Sequence, residues 1–159
     1  MTIKVGDTLP AAQFKLVHDG IQDAGTDDVF KDRTVVLFAV PGAFTPTCSA
    51  RHLPGFVEKA DQLKAKGIDT IACVSVNDAF VMDAWGKAQN CAGKVEMLAD
   101  GNGDFTRALG LEMDATKVGL GQRSKRYSML VEDGVVKQLN VEQPGAFEVS
   151  SAEYMLNRL

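Results

Sequence analysis

Residues Pro41 to Phe56 read Pro-Gly-Ala-Phe-Thr-Pro-Thr-Cys-Ser-Ala-Arg-His-Leu-Pro-Gly-Phe, and they follow an apolar run, Thr34 to Val40 (TVVLFAV). That run is continuous, rich in β-branched residues and about as long as a core strand, which predicts a strand buried on both faces. Pro41-Gly42 turns the chain. Thr45 then predicts a helix N-cap, with Pro46 at N1, where a missing N–H costs nothing. Thr47 and Cys48 fall at N2 and N3, inside the first helical turn. This turn presents unpaired N–H groups and the positive end of the helix dipole. Negative charge is favoured there, which tilts a cysteine toward the thiolate, its nucleophilic form. A small apolar residue packing a helix start also fits the position, and the arrangement alone leaves both readings open.

The rest of the composition narrows the class. A chain of 159 residues predicts one domain, residues 1–159, burying about two-thirds of its unfolded surface. Hydrophobic content of 45% and charged content of 24% are ordinary for a soluble globular protein. The formal charge of −4 argues against a nucleic-acid partner, which wants a basic face. No apolar run approaches the roughly 18 residues of a membrane span. The opening MTIKVGDTLP has neither a basic n-region nor an apolar h-region, nor an excess of Arg and Ser, so no signal or transit segment is expected. Cys48, Cys73 and Cys91 cannot all pair within one chain, and they do not resemble a disulfide framework. A reducing compartment, the cytoplasm, is the expectation.

No metal or cofactor is expected. His18 and His52 are far apart, and the ligand types are not clustered. Asp100-Gly-Asn102-Gly-Asp104 opens like a calcium loop, but Phe105 and Leu111 stand where the turn glycine and the bidentate glutamate belong. Gly119-Leu120-Gly121 lacks the third glycine of a dinucleotide fingerprint.

Taken in order, the chain shows no repeat and no linker. Asp7 to Val17 predicts edge strands broken at Pro10, Asp19-Gly20 a turn, and Val29 to Arg33 a polar lead into the core strand. From Cys48 a helix is expected to about Lys66, with Leu53, Phe56, Val57, Ala60 and Leu63 as its core stripe and a kink at Pro54-Gly55. Gly67 ends it. Thr70 to Val76 is a second buried strand; Asn77 or Asp78 caps a helix running to about Asn90. Val95 to Ala99 is a third strand and Asp104 to Leu109 a short helix. Arg126 to Val131 and Val135 to Val141 form a hairpin about Asp133-Gly134, and Ser150 or Ser151 caps a last helix, Ala152 to Leu159. This order predicts an α/β fold, a mixed sheet with helices on both faces.

Pro41, Thr45 and Cys48 stand as P-x-x-x-T-x-x-C, which resembles the active-site motif of peroxiredoxins. The longer PGAFTPTCSARHLPGF, with VSVNDAFVMDAW and RSKRYSMLVEDGVV, is similar to the subfamily of peroxiredoxin 5 and the plant type II enzymes. The resemblance implies a thioredoxin-like sandwich and a thiol-dependent peroxidase. In it the Cys48 thiolate attacks hydrogen peroxide or an alkyl hydroperoxide and becomes a sulfenic acid. It also implies that Thr45 bonds substrate and sulfur, that Pro41 shields the site, and that two copies pair through the active-site side. A redox relay or holdase, passing the oxidised state of Cys48 to a partner protein, is the alternative.

Arg126 lies in the basic run Arg123-Ser124-Lys125-Arg126-Tyr127, which by itself reads as a solvated strand end. The resemblance implies instead that Arg126, before Tyr127-Ser128-Met129, contacts the catalytic sulfur, with Arg123 the neighbour most easily confused with it. His52, four residues after Cys48, shares its helix face and either supports Arg126 or only packs. Phe44 and Leu120 either wall the substrate entrance or belong to the core. Cys73 stands where plant type II relatives carry a candidate resolving cysteine, yet its strand context equally predicts a small core residue. Peroxiredoxin 5 relatives place a resolving cysteine near the C-terminus. Here Val149-Ser150-Ser151 occupies that region and no cysteine follows Cys91. An external thiol, glutathione with glutaredoxin or thioredoxin, is therefore the expected reductant.

Overall fold

The computed structural model describes residues 2–159. The first hairpin, β1 (Gln13–Val17) and β2 (Ile21–Gly25), turns at Asp19 (φ 57°) and Gly20 (φ 102°). A single-turn helix α1 (Thr26–Phe30) leads into β3 (Thr34–Ala39). After the π turn Cys48–His52 come α2 (Leu53–Glu58), α3 (Ala60–Ala65), β4 (Thr70–Ser75), α4 (Ala79–Ala88) and β5 (Glu96–Ala99). Then α5 (Asp104–Leu109) precedes a two-stranded ribbon, β6 (Glu112–Ala115) with β7 (Gly121–Ser124). The hairpin β8 (Tyr127–Glu132) and β9 (Val135–Val141) and the helix α6 (Ala152–Leu156) complete the chain.

The main sheet has seven strands in the order β2-β1-β5-β4-β3-β8-β9. β3 pairs in parallel with β4, and β4 with β5; β3 with β8 and β8 with β9 are antiparallel. The mixed thioredoxin-like sandwich is thus as expected, and β3 lies inside it, buried on both faces. Val36, Phe38 and Val40 join a core with Cys48, Leu53, Phe56, Trp85 and Met155. Val35, Leu37 and Ala39 face Phe14, Phe30, Phe105, Tyr127 and Met129 on the other side. A strand covered on both sides has no polar face to show, which is why TVVLFAV carries no alternation.

The helix after Cys48 differs from expectation. It is not one helix kinked at Pro54-Gly55. It opens as a π turn, in which the Leu53 N–H reaches back to the Cys48 carbonyl, and it breaks again at Lys59 (φ −98°, ψ 9°). Pro54 explains the first irregularity: it has no N–H for the Ala50 carbonyl, and its ring crowds that oxygen, so the preceding turn widens. The strand β2, the helix α1 and the β6–β7 ribbon were not anticipated; these segments are only four or five residues long, with little periodicity to read. Asp100, first residue of the calcium-like spacing, is buried and accepts from Phe105 N (3.1 Å), Thr106 N (2.9 Å) and Thr106 Oγ1 (2.7 Å). Its carboxylate fastens the start of α5.

Phe56 stacks on Phe38 of β3 at 4.0 Å with planes 6° apart, and it also abuts His52. Truncation to alanine leaves a cavity under the π turn. Phe56→Ala is expected to lower the unfolding free energy by about 3–5 kcal/mol in urea titration.

Candidate active site

The site begins where β3 runs out. Beyond Ala39 the Pro41–Thr45 segment crosses the sheet end, with Phe44 held in the left-handed region (φ 65°), a conformation costly for a bulky side chain. The Ala43 N–H donates to Asn77 Oδ1 (2.9 Å), and Ser75 Oγ donates to the same oxygen (2.6 Å), which pins the segment to the end of β4. Thr45 marks the helix start through its backbone: its carbonyl accepts from Ser49 N (2.9 Å). Its hydroxyl does not cap the turn but donates to the Gly42 carbonyl at 2.6 Å. Among the described residues the N–H groups of Thr47 and Cys48 meet no acceptor outside their own helical turn, and the Thr45 lone pairs stay available. Cys48 itself is fully buried.

Arg126 reaches the sulfur from the start of β8. Its Nη2 lies 3.1 Å from Cys48 Sγ, and its Nη1 lies 2.9 Å from His52 Nδ1. His52 Nε2 is 2.9 Å from the Ser150 carbonyl. Chemistry fixes the tautomer: a carbonyl can only accept, so Nε2 carries the proton, and Arg126 can only donate, so Nδ1 is bare. Burial, and then the positive charge of Arg126, lower the His52 pKa to about 3, against a smaller opposite pull from the Ser150 carbonyl. His52 is therefore neutral, an acceptor that holds one arm of the guanidinium while the other faces sulfur. A planar fork with two fixed donors suits this division.

Further support comes from residues around this pair. Trp85 Nε1 donates to Ser49 Oγ (2.9 Å) and Gln89 Nε2 to the Ser49 carbonyl (3.1 Å), which ties α4 to the turn bearing Cys48. Phe147 lies 5.0 Å from the His52 ring, with the Arg126 guanidinium 5.8 Å and that of Arg51 4.7 Å from its centre. Glu142 Oε2 gathers the N–H groups of Glu148, Val149 and Ser150, and so holds the segment whose carbonyl meets His52.

The remaining candidates are dispersed. Pro41 lines a cleft of about 340 Å³ together with Thr47, Met113, Arg126 and Pro144. Phe44 and Leu120 do not line it: Phe44 is 55% exposed and leans toward Trp85 (6.4 Å), its direction set by its left-handed backbone, and Leu120 sits half-buried between β6 and β7. Arg123 does not reach the sulfur but donates to the Leu120 and Val76 carbonyls (2.8 and 3.2 Å). Cys73 is fully buried on β4, in the same core as Cys48; burial, then the neighbouring Cys48, push its thiol well above the ordinary range. Cys91 belongs to that core too, its thiol pushed up to about 11 by burial.

A neutral buried histidine has a consequence for stability. The unfolded chain binds a proton on His52 below about pH 6.5, while the folded chain refuses it down to about 3. The unfolded state then holds more protons, so stability rises with pH across that window, by up to about 1.4 kcal/mol per pH unit. Urea titrations at several pH values are expected to show this slope in the wild type and its loss in His52→Phe.

Comparison with known proteins agrees with this geometry. The Redoxin family model matches residues 4–156. The chain is 53% identical to Peroxiredoxin-2E, chloroplastic, of Arabidopsis thaliana over 99% of this chain and 70% of that protein. It is 56% identical to Peroxiredoxin-2E-2, chloroplastic, of Oryza sativa subsp. japonica, over 99% and 73% respectively. Reduced Prx3 of Vibrio vulnificus, solved in complex with hydrogen peroxide, superposes with a TM-score of 0.95 at 56% identity, over 99% of each chain. These names overturn the cytoplasmic expectation, because two such similar proteins are chloroplastic. Free thiols report a reducing environment, not an address. With a family match across nearly all its length and relatives this similar, the chain belongs to the redoxin family, among the peroxiredoxins of the type II group.

Proposed function

We propose that Cys48 is the nucleophile of this thiol peroxidase, and that Thr45, Arg126 and the free N–H groups of its own turn hold the peroxide. The observation that carries the reading is the 3.1 Å approach of Arg126 Nη2 to a fully buried sulfur. A permanent cation beside a buried sulfur favours its thiolate, and buried, preorganised donors stabilise charge at no cost of reorganisation. The sulfur attacks the hydroxyl-bearing oxygen of the hydroperoxide. The S–O bond forms as the O–O bond breaks, and the departing oxygen takes a proton to leave as water or alcohol. Cys48 is left as a sulfenic acid. Thr45 accepts from the substrate O–H, and Arg126 with the N–H groups of Thr47 and Cys48 meets the oxygen on which charge develops. Pro41 excludes water from the attack line. The cleft of about 340 Å³ beside Arg126, walled in part by Met113, Val141 and Pro144, exceeds what hydrogen peroxide needs and suits the organic group of an alkyl hydroperoxide.

Recycling is assigned to an external thiol, glutathione with glutaredoxin or thioredoxin. The sulfenic acid condenses with it to a mixed disulfide and water, and a second thiol releases Cys48. Cys73 is a poor resolving partner as placed: it sits in a central strand between β3 and β5, and a bridge needs Cα atoms within about 7 Å and mutually facing Cβ atoms. Pairing of two copies through the active-site side is part of the same proposal, with the exposed Phe44 as apolar rim surface to be covered.

Cys48→Ser is expected to abolish peroxide consumption and Cys91→Ser to leave it; equal activity in both variants contradicts the assignment. Cys73→Ser is expected to turn over normally with glutaredoxin. A stable mixed disulfide with a protein, without turnover by small thiols, would instead favour the relay reading. Arg126→Met is expected to lower kcat/KM for peroxide by about 10²–10³ in stopped-flow assays.

A further inference from the structure

The carboxylate of Glu142 is the least explained charge near the site. It is 7% exposed, and one of its oxygens, Oε2, accepts four hydrogen bonds: Glu148 N (2.8 Å), Val149 N (2.9 Å), Ser150 N (2.8 Å) and Ser150 Oγ (2.6 Å). Three consecutive N–H groups aimed at one anion form a nest. Across the sheet ladder the Glu142 N–H donates to the Arg126 carbonyl at 2.9 Å. Glu142 therefore stands beside Arg126 through its backbone and holds Ser150 through its side chain. The segment between carries Phe147, which packs on His52 and lies near the Arg126 guanidinium.

The chain of contacts continues to the sulfur. Ser150 turns its carbonyl to His52 Nε2, His52 offers Nδ1 to Arg126 Nη1, and Arg126 Nη2 meets Cys48 Sγ. Were Ser150 released, only the Arg126 donor would still hold the His52 proton on Nε2, and the tautomer would lose one of its two constraints. The other tautomer places a hydrogen on Nδ1, against an Arg126 donor, and the guanidinium loses its second anchor. Burial opposes the charge on Glu142, and the four hydrogen bonds outweigh it, so its carboxyl lies below the usual range and the nest is served by a full anion.

We propose that Glu142 is a positioning residue of the peroxidase site, which sets the His52 tautomer through Ser150 and thereby aims Arg126 at the Cys48 sulfur. Its carboxylate acts through Ser150 and His52 and not on the sulfur; it also lines the cleft beside Arg126, so the test uses hydrogen peroxide, which does not need that cleft. A neutral amide cannot replace it in full, because its oxygen carries no full negative charge, while four donors converge on one oxygen here. The proposal rests on Cys48 being the peroxide-reactive thiol. An inactive wild type sinks that reading, whereas an active wild type with an indifferent Glu142→Gln sinks this one alone.

The test is a double-mutant cycle on the full chain with hydrogen peroxide as substrate. Glu142→Gln is expected to fold, by its urea transition, and to lower kcat/KM about tenfold, at the lower end of what outer-shell partners typically contribute. In a His52→Phe background the same change is expected to have no further effect. An equal loss in both backgrounds shows that Glu142 only braces the fold and overturns the proposal, as does no loss in either. If Glu142→Gln does not fold, Ser150→Ala, which removes one of the four donors, carries the same cycle. Nitrogen-15 NMR supplies a readout that bracing alone does not move: His52 is expected as the Nε2–H tautomer in the wild type and as a mixture in the variant. An Nδ1–H tautomer in the wild type overturns the proposal outright.

Discussion

One guanidinium divided between a sulfur and an imidazole is the constraint on which this molecule depends. Arg126 Nη2 faces Cys48 Sγ at 3.1 Å while Nη1 faces His52 Nδ1 at 2.9 Å. Cys48 and His52 are both fully buried. Burial works against charge on either, and the protein resolves the conflict in opposite ways. The imidazole stays neutral and becomes an acceptor. The sulfur receives a fixed cation within hydrogen-bond reach. Substituting lysine would supply the charge but not two donors at a set angle.

Around this pair the architecture reads as scaffolding with different tolerances. The β3 strand, covered on both faces, delivers the chain to Pro41 at a defined point. The π turn, forced by Pro54, sets the direction in which Cys48 and His52 leave the backbone. Trp85 and Gln89 clamp Ser49 from α4, and Asn77 clamps Ala43 from the end of β4. The Glu142 nest closes the arrangement by holding the segment that leads into α6. Each brace lands on the segment that must hold still for the sulfur and the guanidinium to stay in register.

Much of this was legible in the sequence, for stated reasons. TVVLFAV, the Asp133-Gly134 turn (φ 47° and 78°) and the Asp78 cap are local signals, and the structure follows them. The α5 bounds, Asp104–Leu109, match as well. Proximity of Cys48 to Arg126 could not be read from spacing, since 78 positions separate them; only the likeness to a known motif suggested it. Glu142 and Ser150 were invisible because their roles run through backbone groups, which leave no residue pattern. Apolar character does not reveal direction: Phe44, on a left-handed backbone, is exposed, and neither it nor Leu120 lines the cleft beside Arg126. The π turn was missed because a proline announces disruption without saying on which side the helix yields.

The central proposal is that the Arg126 guanidinium, 3.1 Å from the Cys48 sulfur, favours its ionised form. Ultraviolet thiolate absorption at neutral pH measures this most directly, as the difference between the wild type and Cys48→Ser. The account predicts a difference of one thiolate per chain, and its disappearance when the same comparison is made in an Arg126→Met background. No thiolate in the wild type, or one that survives the loss of Arg126, contradicts it.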